Sequence, residues 1–283
     1  MPVGLEVLPG KTLALVGSEV ALMGGNLKAA GGRIELGSVG SNSTVTLTPV
    51  EKGWTLGYEG VQNFQDIEFS QAASLRTSGP GAGALNIQGR SIILSQGSVI
   101  LAFTLGSQPG ENLTLRATDS LELSGSNAFG VPSFLQSNLN PEATGNAGKL
   151  TIETGRLILQ DGALISSATG GKGKGGNINI RASESVELIG LDASGFGSTL
   201  VTQATLTAEG RNAGNLTLLT GQLILEDQGQ LIVSGVETRQ KHQIVEAQGW
   251  VRSSNGEVIL IAQVPKVTPY HSWLIPAQCN ALD

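Results

Sequence analysis

The side chains able to do acid–base or metal chemistry are few and scattered in this sequence. The six aspartates are Asp66, Asp119, Asp161, Asp192, Asp227 and Asp283; none are adjacent and no two stand at i, i+2. His242 and His271 lie apart from any cluster of Cys, Asp or His, so no spacing fits a metal site. A polysaccharide lyase or hydrolase needs clustered carboxylates with a basic residue or a metal. Asp161 and Asp227 come nearest to a pattern, because they share one position of a repeat. The third copy carries Gln96 there, which points to a turn role rather than proton transfer. Glu122 and Glu187 also match each other, in the middle of strands, and read as a solvated strand face.

Other motifs fail on context. Gly171, Gly173 and Gly176 satisfy G-x-G-x-x-G, but the strand-like NINIRA follows where a dinucleotide site requires a helix. The loop GGKGKGG lacks the Lys-Ser/Thr of a phosphate loop, and no G-x-S-x-G marks a nucleophile. The expectation is therefore no catalytic residue, no cofactor-binding residue, no metal site and no enzyme. The formal net charge of −6 and the scattered basic residues argue against nucleic acid as a partner. No stretch approaches the ~20 apolar residues of a membrane helix. The first residues, MPVGLEVLPGKTLALVG, lack the basic region and continuous apolar core of a signal peptide. The single cysteine, Cys279, cannot form an internal disulfide.

The elements that would carry any site are set by a repeat. Asn146 to Ser166, NAGKLTIETGRLILQDGALIS, has near-copies at Pro80–Ile100 and Asn212–Ser234, with shorter cousins at Asn112–Ser126 and Asn177–Gly190. The first apolar residues of the units are Leu85, Leu113, Leu150, Ile178 and Leu216, at gaps of 28, 37, 28 and 38. The true period is therefore 65 or 66 residues, one unit of each kind. Within a burst the apolar spacing is two, as in a half-buried strand. Leu150/Ile152, Leu157/Leu159 and Leu164 form three bursts, with Gly155 and Gly162 expected as corners between them. Three short strands per coil, stacked in parallel, predict an all-β chain: a right-handed parallel β-helix (β-solenoid). Aromatics at 4% and charged residues at 14% fit a narrow aliphatic interior with Thr, Ser, Asn and Gln outside. About ten layers at ~4.8 Å each would give a rod of roughly 50 Å. Asn112, Asn177 and Asn215, at equivalent corners, predict a ladder of stacked amides.

The chain divides into residues 1–48, short strands and glycine corners; 49–236, the repeat β-helix; and 237–283, a linker, a capping hairpin and a proline-containing tail. Asn255-Gly256 within GWVRSSNGEVILIAQ marks the hairpin turn. In the loosened stretch after Val50, Trp54, Tyr58 and Phe64 read as aromatics of a surface loop packed on the solenoid, or else as a glycan-binding platform. Segments 125–145 and 191–211 are insertions at one phase of the repeat and so emerge on one side, often the binding side. They carry Phe129, Phe134 and Phe196, positioned either to reach a ligand or to cover a strand edge.

Several stretches carry a resemblance. PGKTLALVGSEVALMGGNLKAAGGRIELGSV (Pro9 to Val39), GNAGKLTIETGRL, DGALIS, GGNINIRASESVEL, VEAQGWVRSSNGEVILIAQVP and TPYHSWLIPAQC together span nearly the whole chain. They resemble the secretion domain, repeat region and tail of cyanobacterial filamentous-haemagglutinin-like exoproteins of the two-partner secretion type. The resemblance implies a structural, adhesin-like protein, extracellular or on the outer cell surface, passed by an outer-membrane two-partner transporter. Surface glycans or proteins would be its targets. Members of this type begin with a signal peptide and an early secretion-domain segment that engages the transporter; this chain is expected to start after that segment. The competing expectations are a carbohydrate-active β-helix enzyme and a non-functional remnant of a longer adhesin gene.

Overall fold

The computed structural model describes residues 4–204, 213–234 and 247–253. Strands account for all the named elements among them. The first coils hold β1 (Gly4–Val7), β2 (Thr12–Gly17), β3 (Val20–Met23), β4 (Asn26–Ala29) and β5 (Arg33–Ser38), followed by β6 (Thr46–Val50) and β7 (Gly53–Gly57). Then come β8 (Ile67–Ser70), β9 (Ser74–Arg76), β10 (Ala84–Ser95), β11 (Val99–Leu101), β12 (Leu113–Ser124) and β13 (Phe134–Gln136). The last are β14 (Leu150–Gln160), β15 (Leu164–Thr169), β16 (Ile178–Ile189), β17 (Thr199–Ala204), β18 (Leu216–Leu225), β19 (Gln230–Ser234) and β20 (Ala247–Ser253).

Two sheets result. One runs β1-β4-β9-β11-β13-β15-β17-β19; the other runs β2-β5-β10-β12-β14-β16-β18-β20, with β3 and β8 joined to its early end. The chain passes from one sheet to the other and back, and each strand pairs in parallel with its equivalent one turn earlier and one turn later. This is the pairing of a parallel β-helix. Among the described residues the one antiparallel strand pair is β6–β7.

Register follows the apolar spacing. The residues anchoring the repeat fall into one column, Leu13–Ile34–Leu85–Leu113–Leu150–Ile178–Leu216. A second column runs Val20–Ile67–Ile92–Leu121–Leu157–Val186–Leu223. The facing sheet contributes Leu27–Leu75–Ile100–Leu135–Ile165–Leu200. These side chains form one continuous core and nearly all are excluded from water. Each fully buried aliphatic contributes about 1.5–3 kcal/mol. A one-residue slip would turn a whole column outward, so the register is strongly specified.

The structure corrects several expectations. Three separate strands per coil occur only in the first two full coils, β2, β3, β4 and β5, β8, β9. In later coils the first two bursts merge into single strands of 10–12 residues, bent by a register shift where Gly89/Ser91, Arg116/Ser120, Thr154/Arg156 and Ala182/Ser185 meet. A β-bulge turns the chain here without breaking the ladder. Gly155 is thus not a corner of positive φ. It lies inside β14, where an added Cβ would approach the Asp119 carbonyl oxygen to 2.5 Å. Gly162 is a true corner, at φ +79°.

The amide ladder does not form. Asn112 and Asn177 are separated by Lys149 in their column, all three asparagines are exposed, and the contact between Asn177 and Asn215 runs from the Asn215 backbone N–H to Asn177 Oδ1 at 2.9 Å. Layers number eight among the described residues rather than ten, a span of roughly 34 Å at ~4.8 Å per layer. The first arm of the expected capping hairpin is β20, a further parallel layer on β18; its Asn255-Gly256 turn and the tail lie outside the described residues.

Truncating a central rung, Leu157→Ala, is expected to cost about 2–5 kcal/mol through the cavity it leaves. The outward change Glu187→Thr, one residue beyond Leu157's partner Val186 on the neighbouring strand, should stay within about 0.5 kcal/mol. Urea unfolding of both variants followed by circular dichroism checks the contrast.

Candidate functional site

The long units turn from one sheet to the other through two-residue corners. Gln96-Gly97 and Asp161-Gly162 have positive φ at both positions, and so does Asp227-Gln228 in the last copy. Asp, Asn and Gly tolerate this region best, which accounts for the aspartates without any acid–base duty. Among the described residues neither Asp161 nor Asp227 forms an ion pair.

At the same corner the short units carry a projecting loop. Asn127–Val131 is closed by the Ser126/Pro132 bridge and Asp192–Phe196 by the Leu191/Gly197 bridge. The two loops are built alike. The Asn127 N–H donates to the Val131 carbonyl, and Asn127 Oδ1 accepts from the N–H groups of Phe129 (2.9 Å) and Val131 (3.1 Å). The Asp192 N–H donates to the Phe196 carbonyl, and Asp192 Oδ1 accepts from Ser194 (2.8 Å) and Phe196 (2.9 Å). Glycines of positive φ, Gly130 and Gly195, complete each tip. Each loop also leans on the tight corner below it. A Cβ on Gly97 would meet Asn127 Cβ at 2.7 Å, and one on Gly162 would meet Asp192 Cβ at 2.5 Å.

Phe129 is 91% exposed and Phe196 70% exposed. Neither covers a strand edge. They stand on one corner two layers apart, roughly 10 Å along the stack. Phe134 does not join them: it is half-buried in β13, on the flat sheet between Val99 and Leu164. Segments 125–145 and 191–211 are accordingly not insertions throughout. Within them 126–132 and 191–197 project and β13 and β17 are rungs of the core, while 205–211 lie outside the described residues.

Acids and bases do meet at the bend inside the long strands. Arg90 pairs with Asp66, and Arg156 lies 3.5 Å from Asp119 and 3.9 Å from Glu184. These side chains are 42–67% exposed on a convex ridge, and such surface pairs contribute about 0–1 kcal/mol each. Glu122 and Glu187 belong to an outward column that alternates by layer, Glu68–Ile93–Glu122–Ile158–Glu187–Ile224.

One group escaped sequence reasoning. Glu35, on β5, is fully buried where the β6–β7 hairpin folds back over the sheet. It accepts hydrogen bonds from the Leu56 N–H (3.1 Å), Thr55 Oγ1 (3.3 Å), Asn86 Nδ2 (2.9 Å) and Arg33 Nη1 (3.0 Å). Tyr58 donates to the Leu36 carbonyl at 3.3 Å and packs on Phe64 with ring centroids 5.8 Å apart. Burial, reinforced by the Glu35 charge, pushes the Tyr58 phenol well above its ordinary range. Tyr58 and Phe64 therefore pack on the solenoid side, the first of the two readings the sequence offers, with Phe69 fully inside the core. Trp54 remains 45% exposed.

Residues 2–89 match the model of the TPS secretion domain. The match covers β1–β9, the docked hairpin and the start of β10, less than a third of the chain. No curated protein and no solved structure matches. The domain match supports a two-partner secretion exoprotein and implies interaction with a two-partner transporter. Proteins of that type are secreted to the cell exterior and are non-enzymatic. No helix among the described residues is long and apolar enough to cross a membrane.

Gly162→Ala strains both the corner and the loop resting on it, whereas Gly195→Ala strains only its own φ, a penalty of about 1–3 kcal/mol. Gly162→Ala should lower the melting temperature further and speed hydrogen exchange of the Ser194 and Phe196 amides. Glu35→Ala leaves Arg33 Nη1 and the hairpin donors without their acceptor and is expected to cost about 3–5 kcal/mol, read as lost protection of the Leu56 amide. A folded-state phenol held above its unfolded value stabilises fully below about pH 10. That contribution is lost as pH rises further. Alkaline unfolding of the wild type should therefore begin earlier than that of Tyr58→Phe.

Proposed function

We propose, from the secretion-domain match over residues 2–89, that the chain is a structural, adhesin-like exoprotein or part of one. It resembles the filamentous haemagglutinins of cyanobacteria and holds a stiff, right-handed β-helix against a cell surface or extracellular matrix. Residues 1–48 begin the secretion-domain-like segment and the first coils of the rod, and 49–236 carry the rod on. The rod extends over at least the eight layers described. Adhesion falls to the corner loops, where Phe129 and Phe196 offer two rings on one side of a rigid support. Phe134 lends a half-buried ring on the neighbouring face. Spaced rings on a pre-organised scaffold bind with little entropy lost on ordering. Ion pairs on a convex ridge and aspartates held in turns speak against the carbohydrate-active enzyme.

Retention of cells or secreted matrix on beads coated with the full chain tests this reading. The double change Phe129→Ser, Phe196→Ser should reduce retention several-fold while leaving the melting curve unchanged. Beads that retain no more than bare beads, or retention indifferent to both phenylalanines, would refute the adhesive role.

A further inference from the structure

The β6–β7 hairpin stands outside both stacked sheets, and its two edges are used differently. On β7 the outer edge is occupied. The Trp54 N–H donates to Thr12 Oγ1 at 3.0 Å and the Leu56 N–H to the buried Glu35 at 3.1 Å. In an antiparallel pair, residues whose backbone groups point out of the ladder stand opposite one another. Pro49 lies opposite Trp54, and Leu47 opposite Leu56. The Leu47 N–H and carbonyl and the Pro49 carbonyl therefore face away from β7. They form the free edge of β6, with which no other strand pairs among the described residues. Pro49 has no N–H to give, and at this position the β6–β7 ladder loses nothing by that. All five residues of β6, TLTPV, are exposed and none is charged, whereas edges are ordinarily blunted with charged side chains. A two-stranded hairpin is marginal by itself, and further strands stabilise it. Leu47 is 55% exposed. It sits on the face away from Thr55, whose hydroxyl reaches down to Glu35, so its apolar side chain is uncovered.

This strand matches itself. Set antiparallel to a second copy about Leu47, each Leu47 exchanges both backbone hydrogen bonds with the other. Each Val45 N–H then meets the Pro49 carbonyl of the second copy, and only the Val45 carbonyl, opposite a proline, is left to water. The cross-strand pairs are Leu47 with Leu47 and Thr46 with Thr48, neutral pairs that stabilise a sheet. Antiparallel order also holds the charged turns, Glu51-Lys52, at opposite ends. That matters for a chain of net charge −6, whose copies repel one another overall. Because the outer edge of β7 is already taken, the sheet β7-β6-β6-β7 has no edge left, and the assembly closes as a two-fold dimer. We propose that the free edge of β6 joins this chain to a second copy by antiparallel pairing centred on Leu47. The surface is separate from the phenylalanine loops and does not depend on the adhesive reading.

Sedimentation velocity of the full chain over a range of concentrations tests the proposal, and a reversible dimer is expected. Leu47→Pro removes only a donor that faces the free edge and should raise the dissociation constant about tenfold or more. Unchanged hydrogen exchange of the Leu56 amide shows that the hairpin stays docked. Leu47→Lys sets like charges directly opposite each other and should weaken the dimer in the same way, should the proline disturb the hairpin. Mild oxidation reads the register, in a Cys279→Ser background. Leu47→Cys brings two thiols together at a Cα separation of roughly 5.5 Å, within disulfide reach, and should cross-link. Thr48→Cys, two residues out of register with its own copy, should not. The double change Phe129→Ser, Phe196→Ser should leave the dimer intact, so failure here and failure of the adhesive reading are told apart. A chain monomeric at every concentration, a dimer unmoved by Leu47→Lys, or cross-linking of Thr48→Cys as readily as of Leu47→Cys would overturn it. So would a monomer that takes up an alternating Val/Thr peptide, which would assign the edge to a foreign strand.

Discussion

Parallel pairing of like with like between successive coils is the constraint on which everything else in this protein rests. Every coil must deliver an aliphatic side chain to the same few interior positions, because the next coil builds directly upon it. Leu113 sits on Leu85 and under Leu150, and Leu121 on Ile92 and under Leu157. A coil that missed the register would expose its apolar set and leave its neighbours' backbone groups unpaired. Length, loops and surface chemistry can vary only in ways that return the chain to this register.

The two-coil period follows from what is allowed to vary. Stacked strands bring equivalent side chains to about 4.8 Å, so identical charges in adjacent layers would repel. Alternation solves this. Outward glutamates at Glu122 and Glu187 are separated by Ile158, which sets the carboxylates about 10 Å apart, near one screening length at physiological salt. On the ridge Arg156 stands between Asp119 and Glu184. The corners alternate as well: a tight Asp-Gly turn in one coil supports a projecting loop in the next. One pattern thus serves packing, electrostatics and the display of Phe129 and Phe196 on a single side.

The core was legible because burial and apolar spacing are the same fact in a strand with one face inside. Leu85, Leu113, Leu150, Ile178 and Leu216 mark their own column, and the exchange of Asp161 for Gln96 betrays a turn. The bend inside the long strands was not legible, since a bulge needs no proline and no glycine of positive φ. Ala182 and Ser185 flank one as readily as Gly89 and Ser91. Asn112 and Asn177 looked adjacent because the intervening coil carries Lys149 instead of asparagine. Glu35 gave no local sign at all. In RIELGS it occupies an ordinary outward position, and only the return of a hairpin from twenty residues later buries it. Of the three phenylalanines the sequence singles out, two share a corner and the third does not, a distinction that depends on where the strand begins.

Spin labels on the outward column Thr114–Thr151–Asn179–Thr217 offer the most direct check of the stacking itself, after Cys279 is changed to serine. Labels at Thr151→Cys and Asn179→Cys lie one layer apart in register, roughly 5 Å between backbones, and should show strong dipolar broadening. Labels at Thr114→Cys and Thr217→Cys, three layers apart, should show far less. Equal broadening in the two pairs, or none in the first, would contradict an in-register parallel stack.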